Sequence, residues 1–135
     1  MKNMEWTATL PEDLANQTEW YRLDKRVQQS AYIKRLCRKI VEAFHPQKII
    51  LFGSRAYGKP REDSDIDLLV VMPYDGDHAK AAIQILNRLD VLAPIDLLVR
   101  SPEEVHERIG IGDRFMREIV ERGKVIYDAA YAGMD

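Results

Sequence analysis

Residues 53–67 read GSRAYGKPREDSDID, and this stretch joins two short apolar runs. A Gly-Ser pair follows the first run, KIILF, and an Asp-Ile-Asp triplet opens the second, IDLLVVM. Both runs have the length and the apolar character of buried strands. Because alternate residues of a strand point to the same face, Asp65 and Asp67 are predicted to project together. The spacing therefore predicts a small polar turn beside a pair of acidic side chains.

Outside this stretch, helical and strand patterns alternate along the chain. We predict helices over 30–44 and 78–92, strands over 48–52, 66–72 and 95–99, helical segments over 101–123 and a last strand over 124–127. Within the later helical segments, Ser101 and Glu104 have the spacing of a capping box, and Gly123 is suited to end the helix. The order predicts an α/β fold, in which a small mixed β-sheet is flanked by helices.

Length and composition describe one ordinary globular domain. The net charge of −2 gives no general attraction to nucleic acid or to an anionic membrane surface. No apolar run approaches the length that spans a bilayer. The single cysteine, Cys37, cannot form an intrachain disulfide and falls on the apolar face of a predicted helix, so we interpret it as a buried small hydrophobe. We expect a cytoplasmic protein that binds neither nucleic acid nor membrane.

A third acidic residue, Asp96, lies near the start of the strand predicted over 95–99. If this strand lies beside the strand that carries Asp65 and Asp67, the three carboxylates form a cluster. Neighbouring carboxylates repel each other unless protons or cations neutralise them, and Mg²⁺ binds a few carboxylates together with phosphates and water. Two such ions could clamp both oxygens of an in-line phosphoryl displacement. We therefore predict that Asp65, Asp67 and Asp96 are the catalytic and metal-binding residues.

The Gly-Ser pair supplies the second half of the candidate site. Gly53 permits a tight turn and a close approach of the backbone to phosphate. Ser54 can cap a following short helix, whose first N–H groups attract anions. Arg55 lies in the same loop and could add positive charge against a triphosphate. We predict that Gly53, Ser54 and Arg55 bind the nucleotide, and it is their combination with the acidic residues that indicates this function.

The order Gly-Ser, ten residues, Asp-x-Asp and a later acid resembles the signature of the nucleotidyltransferase superfamily that includes DNA polymerase beta and the kanamycin nucleotidyltransferases. The residues that match this signature position by position are Gly53, Ser54, Asp65, Asp67 and Asp96. The resemblance implies a nucleotidyltransferase fold like the palm of polymerase beta, a nucleoside triphosphate donor and two Mg²⁺ ions. The resemblance extends from about Ile33 to Tyr127, and we divide the chain into an N-terminal arm (1–29), a nucleotidyltransferase domain (30–128) and a C-terminal tail (129–135).

The short length and the sequence after Arg122 resemble the minimal nucleotidyltransferases (MNT type), which are commonly paired with a small all-helical HEPN protein as a toxin–antitoxin system. In that family the nucleotidyltransferase is the antitoxin and transfers AMP from ATP to a tyrosine of the HEPN ribonuclease. The resemblance implies ATP as donor and a HEPN-domain protein as partner. The chain departs from the family at Tyr57, where many relatives carry a second arginine, so the resemblance does not extend to a phosphate contact from this position.

Other functions remain open. The chain could neutralise a HEPN protein by forming a complex with it, and the weakly patterned arm with Trp6 and Trp20 would serve that role. A nucleotidyltransferase that modifies an antibiotic or another small molecule usually needs a second domain or a dimer, so it ranks lower, although a homo-oligomer is possible. Arg100 and His106 fit the loose Arg-x(4–6)-His pattern of HEPN ribonucleases, but that motif belongs to all-helical domains, and a strand-to-helix junction is predicted here.

Overall fold

The computed structural model describes residues 25–58, 65–89 and 94–131. Most of the predicted N-terminal arm, including Trp6 and Trp20, lies outside the described residues. So do residues 59–64 of the stretch between the two strands. The division of the chain into arm, domain and tail therefore stays a prediction.

Helices and strands alternate along the described chain. The helices are α1 (Lys25–Phe44), α2 (Ser54–Tyr57), α3 (His78–Arg88), α4 (Pro102–Gly110) and α5 (Arg114–Arg122), and the strands are β1 (Lys48–Phe52), β2 (Ile66–Val71), β3 (Ile95–Arg100) and β4 (Lys124–Asp128). The predicted α/β class is confirmed. Within the described ranges, no helix is long and apolar enough to cross a bilayer.

Two helix boundaries differ from the sequence prediction, and the first is the end of α3, which lies at Arg88 instead of residue 92. Helix α1 begins at Lys25 instead of residue 30. The sequence does not indicate this earlier start, because the segment KRVQQ contains a single apolar residue and shows no helical periodicity. The helical segments predicted over 101–123 are two helices, and the break between them lies at Gly112, whose φ is 88°. The side chain of Asp113 then accepts a hydrogen bond from the Met116 N–H at 3.1 Å and starts α5.

Side-chain caps also fix the starts of α3 and α4. Asp77 accepts a hydrogen bond from the Ala79 N–H at 3.0 Å. At α4 the predicted capping box is present: the Ser101 hydroxyl accepts from the Glu104 N–H at 3.1 Å, and the Glu104 carboxylate accepts from the Ser101 N–H at 2.8 Å. Arg100 is the last residue of β3, so the Arg100–His106 pattern spans a strand-to-helix junction and not one continuous helix.

The sheet is mixed and has the strand order β3-β2-β1-β4. Strand β1 is antiparallel to both β2 and β4, whereas β2 is parallel to β3, with α3 in the connection between them. A parallel pair requires such a crossover, which explains the long helical segment between these two strands in the sequence.

Helices cover both faces of the sheet, which explains why β2 is a continuous apolar run instead of an alternating one. Leu68 and Val70 point to the face covered by α1 and α3, while Leu69 and Val71 point to the face covered by α4 and α5. The fully buried side chains include Ile40, Ile49, Leu68, Leu69, Ile85, Ile119, Val70 and Val99. Since residue 67 is two positions before Leu69, its side chain belongs to the α4/α5 face.

Cys37 lies in the core of the α1 side and is fully buried. Burial raises the pKa of its thiol to about 12, because the charged thiolate would lose its hydration. The interpretation of Cys37 as a small hydrophobe is confirmed.

Candidate active site

Asp67 and Asp96 are direct partners on the neighbouring parallel strands β2 and β3. Each lies two residues before a leucine of the α4/α5 face, Leu69 or Leu98, so both carboxylates project from the same face. Neighbouring strands lie about 4.8 Å apart. The strand of Asp96 therefore lies beside the strand of Asp67, as the sequence argument required, and two of the three predicted acids stand side by side.

Asp65 precedes β2 by one residue and is exposed, as is Asp96, whereas Asp67 is half-buried. The pKa of Asp67 is raised by burial, then by the negative charges of Asp96 and Asp65, while the charge of Arg55 lowers it. The charges of all three groups therefore act on the Asp67 carboxylate. None of the three acidic residues is fully buried.

Gly53 lies directly against Asp67. Phe52, the residue before it, is the partner of Asp67 across the antiparallel pair of β1 and β2. A Cβ at position 53 would overlap Oδ2 of Asp67 and lie 3.0 Å from its Cγ, and the φ of Gly53 is 75°. Space and backbone conformation therefore both require glycine at this position.

The residues after Gly53 form the single helical turn α2. Its N-cap residue is Gly53, whose carbonyl oxygen accepts hydrogen bonds from the N–H groups of Ala56 and Tyr57 at 2.9 and 3.1 Å. Ser54 is the first helical residue, so the prediction that its side chain caps the helix is wrong. The left-handed conformation of Gly53 makes the turn one residue earlier. The exposed Ser54 hydroxyl lies at the start of α2, and its role with nucleotide stays a prediction.

Arg55 is half-buried on the same turn, and its positive charge acts on Asp67. The structure therefore brings together Gly53, Ser54 and Arg55 on one side and the three carboxylates on the other. A backbone turn and a guanidinium next to carboxylates have the groups that a metal-bound polyphosphate needs, namely hydrogen-bond donors for phosphate oxygens and oxygen ligands for a cation.

Sequence reasoning missed the contribution of α5 to this end of the sheet. Phe115 meets Phe52 edge to face, with ring centroids 5.7 Å apart, and Phe115 is 56% exposed. The guanidinium carbon of Arg122 lies 4.6 Å from the ring centroid of Tyr57. Phe115 and Arg122 are seven residues apart, which places them on one helix face, but the sequence has no signal for which strand or turn that face meets.

The carboxylates suit Mg²⁺ as oxygen ligands, and a cation there would relieve the repulsion that contributes to the raised pKa of Asp67. Among the residues that the structure describes, no three His, Cys, Asp or Glu side chains form a group ready to hold one ion. The register explains this: Asp67 and Asp96 are adjacent, whereas Asp65 is roughly 7 Å further along the chain. The acids form an open row, which fits an ion whose coordination is completed by substrate phosphates and water.

A cavity of about 590 Å³ lies elsewhere, at the opposite end of the sheet. Its lining includes Lys48, Val71 and Asp128, and Lys48 is the strand partner of both other residues. The carboxylate row is at the other end of β2 and is open to solvent on the side of Asp65 and Asp96.

Comparison with known proteins points to the same chemistry. The nucleotidyltransferase domain family matches residues 32–126, which include every strand up to Ile126 and all six predicted site residues. A protein of Methanocaldococcus jannaschii with the name "Putative protein adenylyltransferase MJ0604" is 38% identical over 82 residues, which cover 60% of this chain and 78% of that protein. The match to the family extends over most of the chain and contains the carboxylate row with its glycine turn. The chain therefore belongs to the nucleotidyltransferase domain family and is a nucleotidyltransferase.

Proposed function

We propose that this nucleotidyltransferase transfers AMP from ATP to a hydroxyl group of another protein. The observation that carries the transfer is the in-register pair of Asp67 and Asp96, with Gly53 packed against Asp67. The 38% identity to a protein named as an adenylyltransferase of proteins supports AMP as the group and a protein as the acceptor.

Each residue of the site has a part in this reaction. The turn from Gly53 to Ser54 leaves room for the phosphates, because residue 53 has no side chain. Arg55 offers positive charge to the same phosphates, and Asp96 is exposed and can accept the proton of the attacking hydroxyl. The acceptor oxygen forms a bond to the α-phosphorus, the bond from that phosphorus to the bridging oxygen breaks, and pyrophosphate leaves. The rate enhancement comes mainly from position and charge.

Asp65, Asp67 and Asp96 are the residues that would hold the Mg²⁺ ions expected of the family. When bound, the ions supply positive charge that neutralises the phosphate oxygens. Until a cation is bound, the three carboxylates repel each other and a polyphosphate, so nucleotide binding is expected to depend on divalent cation.

The open position of the carboxylates favours a macromolecular acceptor. Asp65 and Asp96 are exposed, so a hydroxyl on the surface of another protein can approach the row without a deep entry path. We propose that the acceptor is a tyrosine of a HEPN-type toxin and that modification silences this toxin, which makes the present chain the antitoxin. This step rests on the resemblance to the minimal nucleotidyltransferases. We propose a cytoplasmic location on the same basis, since such pairs act there.

The direct test uses purified protein, Mg²⁺ and ATP labelled at the α-phosphate, together with the protein encoded by the neighbouring gene. Intact mass analysis and peptide mapping identify the transferred group and the acceptor residue. We expect one or more AMP groups on tyrosine and no transfer from ATP labelled only at the γ-phosphate. Transfer of the γ-phosphate, or no nucleotide on any protein, would contradict the proposed reaction.

Three related measurements separate the alternatives. If Asp67→Asn still neutralises the partner in cells, complex formation and not modification is the means of neutralisation. If label accumulates on a small hydroxyl compound and on no protein, the enzyme modifies metabolites or antibiotics. Binding of the partner to immobilised wild-type protein without ATP measures complex formation separately from modification.

A further inference from the structure

Arg122 lies beside the turn formed by Gly53 and α2, where it packs on an aromatic ring. Its guanidinium carbon lies 4.6 Å from the centroid of Tyr57, the last residue of α2. An arginine over a tyrosine ring is held by attraction between the cation and the ring electrons, and the flat guanidinium keeps its edge donors available for other groups. Tyr57 therefore fixes the position of a positive charge that comes from α5, a distant part of the sequence.

Tyr57 is directly tied to the glycine turn. Its N–H donates a hydrogen bond to the Gly53 carbonyl oxygen at 3.1 Å, and Gly53 packs against the Asp67 carboxylate. The ring under Arg122 is thus part of the same turn that borders the acidic row. The charge of Arg122 is placed near the turn by tertiary packing and not by the loop sequence itself.

Within the part of the chain that the structure describes, the acidic neighbour of Arg122 is Glu118, and this pair is weak. Its Nη1 lies 3.8 Å from Oε2 of Glu118, which is longer than a hydrogen bond, and both side chains are about half exposed (57% and 49%). Exposed ion pairs of this kind are weak and easily exchanged. A stronger anion at the turn could therefore take the guanidinium from Glu118 without a large loss.

The excess of negative charge at the site favours a further positively charged side chain there. Three carboxylates stand beside the turn, and a nucleoside triphosphate adds several further negative charges, more than two divalent cations cancel. Arg55 contributes one positive charge on the turn. A second guanidinium at the turn would balance the part of the polyphosphate that is furthest from the carboxylates.

We propose that Arg122, held on the ring of Tyr57, binds the β- and γ-phosphates of the donor nucleotide. This inference rests on the proposed donor, ATP. It assigns to Tyr57 a positioning role and to Arg122 a binding role that depends on the length of the phosphate chain.

The test compares equilibrium binding of AMP and of an ATP analogue with a methylene group between the α- and β-phosphorus, in the presence of Mg²⁺, by calorimetry. We expect Arg122→Gln to weaken binding of the ATP analogue about tenfold, the size of one lost charged hydrogen bond, while binding of AMP stays unchanged. Tyr57→Leu should weaken binding of the analogue in the same direction, and Tyr57→Phe, which keeps a ring, less so. Arg117→Gln is the matched control, because Arg117 is exposed on the same helix.

Unchanged affinity of Arg122→Gln for the ATP analogue would overturn the inference, as would an equal loss of AMP and analogue binding, which indicates a structural role. The control Arg117→Gln must keep wild-type affinity; an equal effect there would show that general charge and not position matters. A wild-type protein that binds the analogue but transfers no AMP would refute the proposed reaction and leave this inference standing. A wild-type protein that does not bind the analogue would overturn both.

Discussion

The α-carbon of Gly53 lies against the carboxylate of Asp67, so closely that any side chain at position 53 would overlap Oδ2. This contact joins the end of β1 to the beginning of β2, since Phe52 and Asp67 are partners across the two strands. The backbone that we propose to bind phosphate and the carboxylate that we propose to bind a cation are therefore in direct contact. A metal ion and a phosphate group bound there would be neighbours without any movement of the sheet.

The requirement for glycine can be tested with two alanine variants. Gly53 and Gly76 have the same φ of 75°, but a Cβ at position 76 would have no atom within 4 Å. Gly76→Ala should lower the free energy of unfolding by about 1–2 kcal/mol, from backbone strain alone. Gly53→Ala should cost more, because Asp67 must also move, and should slow AMP transfer about a hundredfold. Urea unfolding and transfer rates measure both effects.

Equal destabilisation by the two alanine variants, together with normal transfer by Gly53→Ala, would show that Gly53 and Asp67 are not packed as described. A stable Gly53→Ala protein with slow transfer would still support the contact, since displacement of Asp67 alone explains it.

The thiol of Cys37 should be unreactive in the folded protein. Burial raises its pKa to about 12, so very little thiolate is present near neutral pH, and the side chain is fully buried. We expect a disulfide reagent at pH 8 to label no cysteine in the native protein and one cysteine per chain in denaturant. Labelling of native protein at the rate of denatured protein would contradict the position of Cys37 in the core.

Glu104 should make stability depend on pH in the acid range. The Ser101 N–H donates to its carboxylate, and with the Tyr74 hydroxyl at 2.7 Å this holds the pKa of Glu104 below its usual 4.5. A lowered pKa in the folded state means that the stabilisation is complete above pH 4.5 and is lost as the pH falls through the lowered value. We expect Glu104→Ala to lower the free energy of unfolding by about 1 kcal/mol at pH 7 and by less at pH 3.

Glu103→Ala is the control for this pH dependence, because Glu103 is exposed in the same helical turn. Urea unfolding of the three proteins from pH 3 to pH 7 gives the difference directly. A Glu104→Ala penalty that stays constant down to pH 3 would contradict the charge-dependent part of the cap.

The sequence was informative wherever a local pattern was enough. The spacing from Gly53 to Asp67 and the capping box at Ser101 are local, and both strands and the cap are present as predicted. That Asp67 and Asp96 are neighbours could be predicted only on the condition that their strands are adjacent, because the register of two strands is set by pairing across the sheet. The structure shows that this pair is parallel, with α3 as the crossover between the two strands.

The remaining differences come from tertiary packing. Nothing in the pattern of α5 indicates that Phe115 would meet Phe52 or that Arg122 would lie on Tyr57. Likewise, Ser54 has good capping chemistry, yet Gly53 occupies the N-cap because its left-handed φ makes the turn. The capping preference of the Ser54 side chain was overridden by the backbone conformation of Gly53.

The central claim is that the row of Asp65, Asp67 and Asp96 carries nucleotidyl transfer, and the rate of AMP transfer by Asp67→Asn from α-labelled ATP tests it most directly. We predict a loss of at least about a hundredfold with an unchanged free energy of unfolding or a slightly higher one, since the substitution removes a charge that burial and then the charges of Asp96 and Asp65 disfavour. Asp75→Asn, an exposed acid in the loop after β2, should transfer at the wild-type rate. Wild-type transfer by Asp67→Asn would contradict the account.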